Sequence, residues 1–172
     1  MKTEIEEQGS IDHHSQSEEV RTQAFTLIKT QRTMVLATQE NNVPWTAPVY
    51  YVYAKPKFYF FSSPKARHIR QAGPKRMVAA SIFIDSDQWQ EIQGLQMCGA
   101  LLEVKKSTER LKAVARFLIK FPFAKPFLQP ETGKQIGAPR VGEKVRLYAF
   151  IPREAHIVNN RIGFGKRLSI QL

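Results

Sequence analysis

The stretch FYFFSSPKARHIRQAGPKRMVAASIFI, residues 58–84, decides the fold of this chain. Its aromatic start predicts a strand that ends at Ser62 and Ser63, and a proline turn then leads into a short helix rich in Lys, Arg and His. A Gly-Pro step ends that helix, and a second apolar strand begins near Met77. Hydroxyl groups and cations are therefore expected where a strand gives way to a helix, beside free backbone N–H groups. Such a place suits a phosphate group, of either a cofactor or a nucleic acid.

Short apolar runs on both sides of this stretch predict further strands of the antiparallel type. Helical periodicity predicts one helix over residues 18–29 and another that Ser107 caps and that ends near residue 120. The helices do not alternate with the strands, which favours a barrel or sandwich over a doubly wound parallel sheet. The predicted strands are residues 33–38, 44–53, 57–61, 77–84, 91–104, 145–151, 155–158 and 167–170.

The second predicted helix carries two stripes of side chains. Apolar residues recur at helical spacing and are expected to face the core, while three cations at four-residue spacing share another side. The cations indicate a solvated face, and a track for phosphate or nucleic acid is the alternative. The apolar stripe consists of Leu111, Ala115, Leu118 and Phe121, and the basic stripe of Lys112, Arg116 and Lys120.

Charge and composition bound the class of protein. The net charge is +11, and because residues 1–20 are acidic, the other 152 residues hold 25 basic and 9 acidic side chains. We expect a flexible leader over residues 1–14 and one domain over residues 15–172. No apolar run is long enough to span a bilayer, and the acidic start does not resemble a secretory signal. The single Cys98 lies in an apolar strand, which predicts a buried thiol and a cytoplasmic location.

Several kinds of site are not supported by the sequence. It has no G-x-S-x-G elbow, no phosphate-binding P-loop and no G-x-G-x-x-G. The four histidines are not at metal-ligand spacing, so no metal site is predicted. The aromatic residues between 50 and 61 are expected to pack in the barrel wall, with base stacking in a nucleic-acid-binding barrel as the alternative.

The order of these pieces resembles that of the pyridoxamine-phosphate-oxidase-like flavoproteins, which are FMN-binding split β-barrels. The resemblance rests on VPWTAPV (43–49), FYFFSS (58–63) and KARHI (65–69), and it covers about residues 20–170. The tail NRIGFGKR (160–167) is similar to the ending of a YhbP-like uncharacterised branch. The family implies a mainly β, α+β fold: a split β-barrel of about six to eight antiparallel strands with two to three peripheral helices.

The resemblance also implies a site. In the family, FMN lies at a homodimer interface, and both subunits contribute to each site. Lys65 would contact the FMN phosphate with Arg67 beside it, and the strand end would meet the ribityl-phosphate. The implied cofactor-binding residues are Thr46, Ala47 and Val49 for the isoalloxazine, Ser62, Ser63, Lys65 and Arg67 for the phosphate end, and Gln93 and Gln96 from the second subunit.

The function that follows is that of an FMN-dependent oxidoreductase of unknown substrate, in which the flavin carries the chemistry and no catalytic protein residue is identified. The ending RLSI (167–170) departs from the Arg-Leu-x-Pro ending of true pyridoxamine-phosphate oxidases, so pyridoxamine phosphate is not predicted as the substrate. Three alternatives stay open: a relative that binds haem or deazaflavin F420, a basic nucleic-acid-binding barrel, and a dimeric interaction protein without cofactor.

Overall fold

Antiparallel strands make up most of the structure, a computed structural model that describes residues 18–73, 77–128 and 145–172. Within these ranges, eight strands are accompanied by three helices and three further helical turns, two of them of the 3-10 type at Trp89–Glu91 and Pro122–Ala124, which confirms the predicted class. The predicted leader and the predicted start of the domain at residue 15 lie outside the described residues. The strands are β1 (Thr33–Glu40), β2 (Val43–Tyr50), β3 (Val52–Ala54), β4 (Lys57–Ser62), β5 (Met77–Phe83), β6 (Gln93–Glu103), β7 (Arg146–Asn159) and β8 (Arg167–Ser169). The helices are α1 (residues 18–30), α2 (Arg67–Ala72), α3 (Ser107–Lys120) and the single turn α4 (Lys125–Leu128).

All eight strands join one sheet in the order β2-β1-β5-β6-β7-β4-β3, and β8 pairs with the far end of β7. Every pairing is antiparallel. The sheet curls into a half-barrel, so the expected split barrel is confirmed. The β1–β2 hairpin turns at Asn41 and Asn42, whose φ angles of 51° and 60° match the tight turn that such hairpins favour.

The long strand β7 joins two segments that the sequence separates. Residues 145–151 and 155–158 were expected as two separate strands, and that expectation is wrong, because one strand runs from Arg146 to Asn159. Pro152 pairs with Gly99, and Glu154 pairs with Cys98, so Arg153 is the extra residue of a β-bulge. A bulge accepts a proline because the ladder is already interrupted there.

The core fills the inside of the half-barrel. The predicted buried side of α1 is confirmed, since Val20, Ala24, Leu27 and Ile28 all lie in this core. The aromatic strand β4 is covered on both sides, because Phe58 and Phe60 point into the main core while Tyr59 and Phe61 pack towards α3. These rings form the barrel wall, and none of these four is presented as a platform for bases.

Helix α3 packs through a different side from the predicted one. Its buried residues are Ala113 and Phe117, and Phe121 is buried directly after its end. The predicted stripe is wrong at Leu111, which is 70% exposed, and at Ala115, which is also exposed. The helix lies over one end of the sheet, so only a narrow side of it is covered.

Three smaller expectations are also corrected. Ser107 does not cap α3: the capping position is Lys106, which makes no side-chain cap hydrogen bond. Lys120 does not share the exposed side of Lys112 and Arg116, because its side chain turns to the end of α1, where its Nζ donates to the Gln31 carbonyl at 2.7 Å. Cys98 is half-buried rather than buried, since its side chain lies on the side of β6 away from the core. No helix in the described part of the chain is long and apolar enough to cross a membrane.

Candidate functional site

The hydroxyl-rich end of β4 meets the start of α2 at residues 62–70, which we call the β4–α2 corner. Ser62 Oγ lies 2.9 Å from His68 Nε2. Burial lowers the pKa of His68 below its ordinary value, so a neutral imidazole is favoured at pH 7. Ser63 Oγ accepts from the Lys65 amide at 3.2 Å, and the Ser63 carbonyl accepts from the Ala66 amide at 3.0 Å. The corner is thus a tight turn that begins with two hydroxyl side chains, Ser62 and Ser63.

The cations of the corner face no carboxylate of their own segment, because residues 57–73 contain no Asp or Glu. Lys65 and Arg70 are exposed, and neither makes an ion pair within the described ranges. Arg67 is half-buried, with its guanidinium 4.3 Å from the centre of the Trp45 ring. This contact fixes the guanidinium beside β2.

The corner is fastened to the sheet by α2. Thr38 Oγ1 in β1 donates to Gln71 Oε1 at 2.8 Å, and both side chains are buried. Ala72, at the end of α2, packs into the main core. Gly73 follows with a φ of 41°, a left-handed conformation that suits glycine and ends the helix. These anchors hold the cations at one place relative to β1 and β2.

The residues expected to line the isoalloxazine divide between the two sides of β2. Thr46 is exposed on the side away from the core, which we call the outer face of the sheet. Ala47 and Val49 are buried with their side chains on the core side, so only their backbone is open to a ligand on the outer face. Thr46 pairs with Ala37, which in turn pairs with Ala79. The outer face is therefore lined by small side chains here.

The two glutamines lie elsewhere in the chain. Three strand spacings separate β2 from β6, or about 14 Å. Gln93 is half-buried opposite Asn159, and Gln96 is exposed on the outer face with its Oε1 accepting from Arg167 Nε at 3.1 Å. One copy of the chain thus gathers Ser62, Ser63, Lys65 and Arg67 into one corner, with Thr46 on β2, and places the glutamines apart from them.

Trp45 is a site residue that the sequence analysis did not single out. Its role depends on Arg67, 22 positions further along the chain, and no local pattern announces that contact. The only signal was a large aromatic residue at a partly exposed strand position, which is common at binding surfaces. Among the described residues, no cluster of three or more His, Cys, Asp or Glu side chains is placed to hold a metal ion.

A family model described as pyridoxamine 5'-phosphate oxidase matches residues 20–141, which is most of the chain. The chain belongs to that family. No curated protein matches the sequence.

Solved structures place this family member among proteins with the same fold. A haem-binding protein from Mycobacterium smegmatis is 17% identical with a TM-score of 0.66, over 85% of this chain and 55% of that one. HutZ, a haem storage protein from Vibrio cholerae, is 16% identical with a TM-score of 0.63, over 81% and 94%. An FAD-binding protein from Mesorhizobium loti is 15% identical with a TM-score of 0.57, over 79% and 91%. At these identities the likeness shows the fold alone.

The donors of the β4–α2 corner fit a phosphate monoester in this family member. A phosphate near pH 7 carries between one and two negative charges and offers oxygens only as acceptors. The corner supplies the Lys65 ammonium, the Arg67 guanidinium and two serine hydroxyls, all of which are able to donate. The residues present therefore suit the phosphate end of FMN.

Proposed function

We propose that this chain is an FMN-binding oxidoreductase that acts as a homodimer. The observation that carries the proposal is the β4–α2 corner, where two hydroxyls and two cations meet with no carboxylate in residues 57–73. The family match supports the same conclusion, because it covers both the corner and β2.

Lys65 and Arg67 are the residues that hold the phosphate. Lys65 is exposed, without an ion pair among the described residues, so it is free to turn towards an anion. Arg67 holds its guanidinium over the Trp45 ring, 4.3 Å from the ring centre, and it carries several N–H donors. Each charge-assisted hydrogen bond contributes about 1.5–3 kcal/mol. Ser62 and Ser63 complete the set as neutral donors.

The ring end is bound by the outer face of β2. Thr46 offers its hydroxyl there, while Ala47 and Val49 offer backbone groups and hold the strand against the core. When bound, FMN supplies the electron transfer through its isoalloxazine. The residues of this chain bind the cofactor, orient it and leave the substrate side open to a second subunit.

A second copy of the chain completes the site. The outer face leaves several large apolar side chains uncovered, among them Phe83 at 54%, Leu102 at 46% and Met77 at 45% exposure. Exposed apolar surface of this kind marks an interaction site. Gln96 lies on this outer face, so pairing of two outer faces brings it towards the cofactor of the other subunit. Gln93 alternates with it and lies on the same side of β6 as the buried Leu95 and Met97, at the start of the strand. The single cysteine supports a cytoplasmic location, where thiols stay reduced.

The absorption spectrum of freshly purified protein tests the cofactor. Flavin bands near about 375 and about 450 nm are expected, because the cofactor itself carries the chromophore. An intense Soret band without flavin bands contradicts the proposal and favours haem, the ligand of the similar haem-binding protein from Mycobacterium smegmatis and of the haem storage protein HutZ. Apoprotein is then mixed with FMN and the spectrum recorded again, so that loss of a weakly held cofactor during purification is recognised.

A further inference from the structure

A second cationic site lies at the other end of β4, between the β3–β4 hairpin and α3. It is a groove of about 390 Å³, which we call the α3 groove. Its size is at the lower end of the range for small-molecule sites. The groove is lined by Ala54, Lys55, Lys57, Tyr59, Lys106, Thr108, Glu109, Lys112, Ala113 and Arg116.

The charge of the groove is strongly unbalanced. Five cations line it against one carboxylate, Glu109. Glu109 is already engaged, since its Oε1 accepts from Lys57 Nζ and from the Tyr59 hydroxyl, each at 2.8 Å. The hydrogen bonds from Lys57 and Tyr59 lower the pKa of Glu109, so it stays ionised and paired. The other four cations, Lys55, Lys106, Lys112 and Arg116, make no ion pair within the described ranges.

The two walls of the groove are tied together. Glu109 belongs to α3, while Lys57 and Tyr59 belong to β4, so their contacts cross-link the helix to the strand. Ala113 and Tyr59 are buried in the smaller core beneath α3. Lys112 and Arg116 are one turn apart and lie on the same side of the helix. The helix and the strand that carry the cations are therefore held in place relative to each other, which reduces the entropy lost when the cations bind one ligand together.

The shape of the groove selects among anions. Its remaining lining residues are small, Ala54, Thr108 and Ala113, and the Tyr59 ring is buried, so no exposed aromatic surface is available to stack a base. We propose that the α3 groove binds a chain of two or three phosphates, held by Lys55, Lys106, Lys112 and Arg116. Free polyphosphate and the phosphate chain of a nucleotide share this chemistry.

The α3 groove is separate from the β4–α2 corner. Lys57 and Ser62 are at opposite ends of β4, and five residue steps along a strand span about 17 Å. The proposal therefore does not depend on FMN binding, and a ligand in the groove does not need to displace one at the corner.

Calorimetric titration of the full chain with sodium triphosphate tests the proposal. With FMN added to occupy the β4–α2 corner, saturable binding of one triphosphate per chain is expected, and it should weaken clearly between about 50 and about 200 mM salt because cations hold the ligand. Orthophosphate should bind at least about tenfold more weakly, since it reaches fewer cations. ATP should match free triphosphate, because nothing in the groove contacts a base.

Variants assign the binding to the groove. Lys112→Gln with Arg116→Gln should weaken triphosphate binding at least about tenfold. The control pair Lys29→Gln with Arg110→Gln removes the same charge at exposed positions outside the lining and should stay within about twofold. Glu109→Gln should strengthen binding, because it removes the one negative charge and releases Lys57.

Four results would overturn the proposal. They are the absence of saturable triphosphate binding, an equal loss in the control pair, a preference for ATP of about tenfold or more, and orthophosphate binding as tight as triphosphate. Binding of a single-stranded oligonucleotide that triphosphate does not displace would indicate a nucleic-acid surface instead. Far-ultraviolet circular dichroism of each variant checks that the fold is retained.

Discussion

Arg67 keeps its charge in a fixed place because its guanidinium lies 4.3 Å from the Trp45 ring centre. This cation–π contact holds the group through the ring, and the five N–H donors of a guanidinium are more than the ring contact uses. Lys65, two residues earlier, is exposed and has no such restraint. The corner thus combines one cation whose position is set with one that adapts to the bound anion.

Lys120, at the end of α3, has a structural role, because it connects α3 to the end of α1. It is half-buried, it donates to the Gln31 carbonyl just after α1, and its Nζ lies 4.2 Å from the centre of the Tyr51 ring. Burial and the nearby charge of Arg32 lower the pKa of Lys120 from 10.5 to about 8. The folded chain therefore gives up this proton more readily than the unfolded chain.

This shift predicts how stability changes with pH. Between about pH 8 and about pH 10.5 the unfolded chain binds a proton at Lys120 that the folded chain has lost, so the free energy of unfolding rises with pH in that window. The Lys120→Met variant lacks this titration. Urea unfolding at several pH values should show wild type gaining stability relative to Lys120→Met as pH rises from about 8. A difference that stays constant across the window would contradict the assignment.

At the scale of elements, the bulge between β6 and β7 depends on Gly99. A Cβ atom added there would lie 2.8 Å from Pro152 Cα and would also meet the Ile151 carbonyl, and both are backbone atoms that cannot move aside. Gly99→Ala should therefore cost about 3 kcal/mol or more. Gly94 in the same strand is the control, because its nearest neighbour would be Ile82 O at 3.4 Å. Chemical denaturation of both variants measures the difference, and equal stabilities would contradict this reading.

The elements themselves were largely predictable, because each has a local signal. The apolar runs, the asparagine turn and the period of α1 are all visible within a few residues. The buried side of α3 was not, because two apolar lines compete: one through Leu111 and Ala115, the other through Ala113, Phe117 and Phe121. Which line meets the sheet is decided by packing against distant strands.

The candidate site also combines features that the local sequence predicts with features that depend on distant contacts. The position of the hydroxyls and cations of the β4–α2 corner was predictable, since they are consecutive in sequence. The contacts that build both sites were not predictable, because they join distant parts of the chain. Trp45 contacts Arg67, which is 22 positions later, and Lys57 contacts Glu109, which is 52 positions later. The outer and core sides of β2 follow from alternation, but only the sheet shows that Ala47 and Val49 face the core.

At the scale of the whole molecule, the proposed dimer rests on the outer face. Ala79 lies near its middle, paired with Ala37 on one side and Cys98 on the other. Ala79→Arg places a long cation on this face and should convert a dimer to a monomer in sedimentation velocity. Leu111→Arg is the control, because Leu111 is exposed on α3 instead, and it should remain dimeric. A wild-type monomer, or equal effects of both variants, would contradict the proposal.

Equilibrium titration of FMN, followed by quenching of its fluorescence, tests whether Lys65 and Arg67 hold the cofactor phosphate. Wild type should bind one FMN per chain, and Lys65→Ala with Arg67→Ala should weaken binding at least about tenfold, since two charge-assisted contacts to the phosphate are lost. Lys29→Ala with Arg110→Ala is the matched control and should bind within about twofold of wild type. Absence of saturable binding by wild type, or undiminished binding by the Lys65 and Arg67 double variant, would contradict the account.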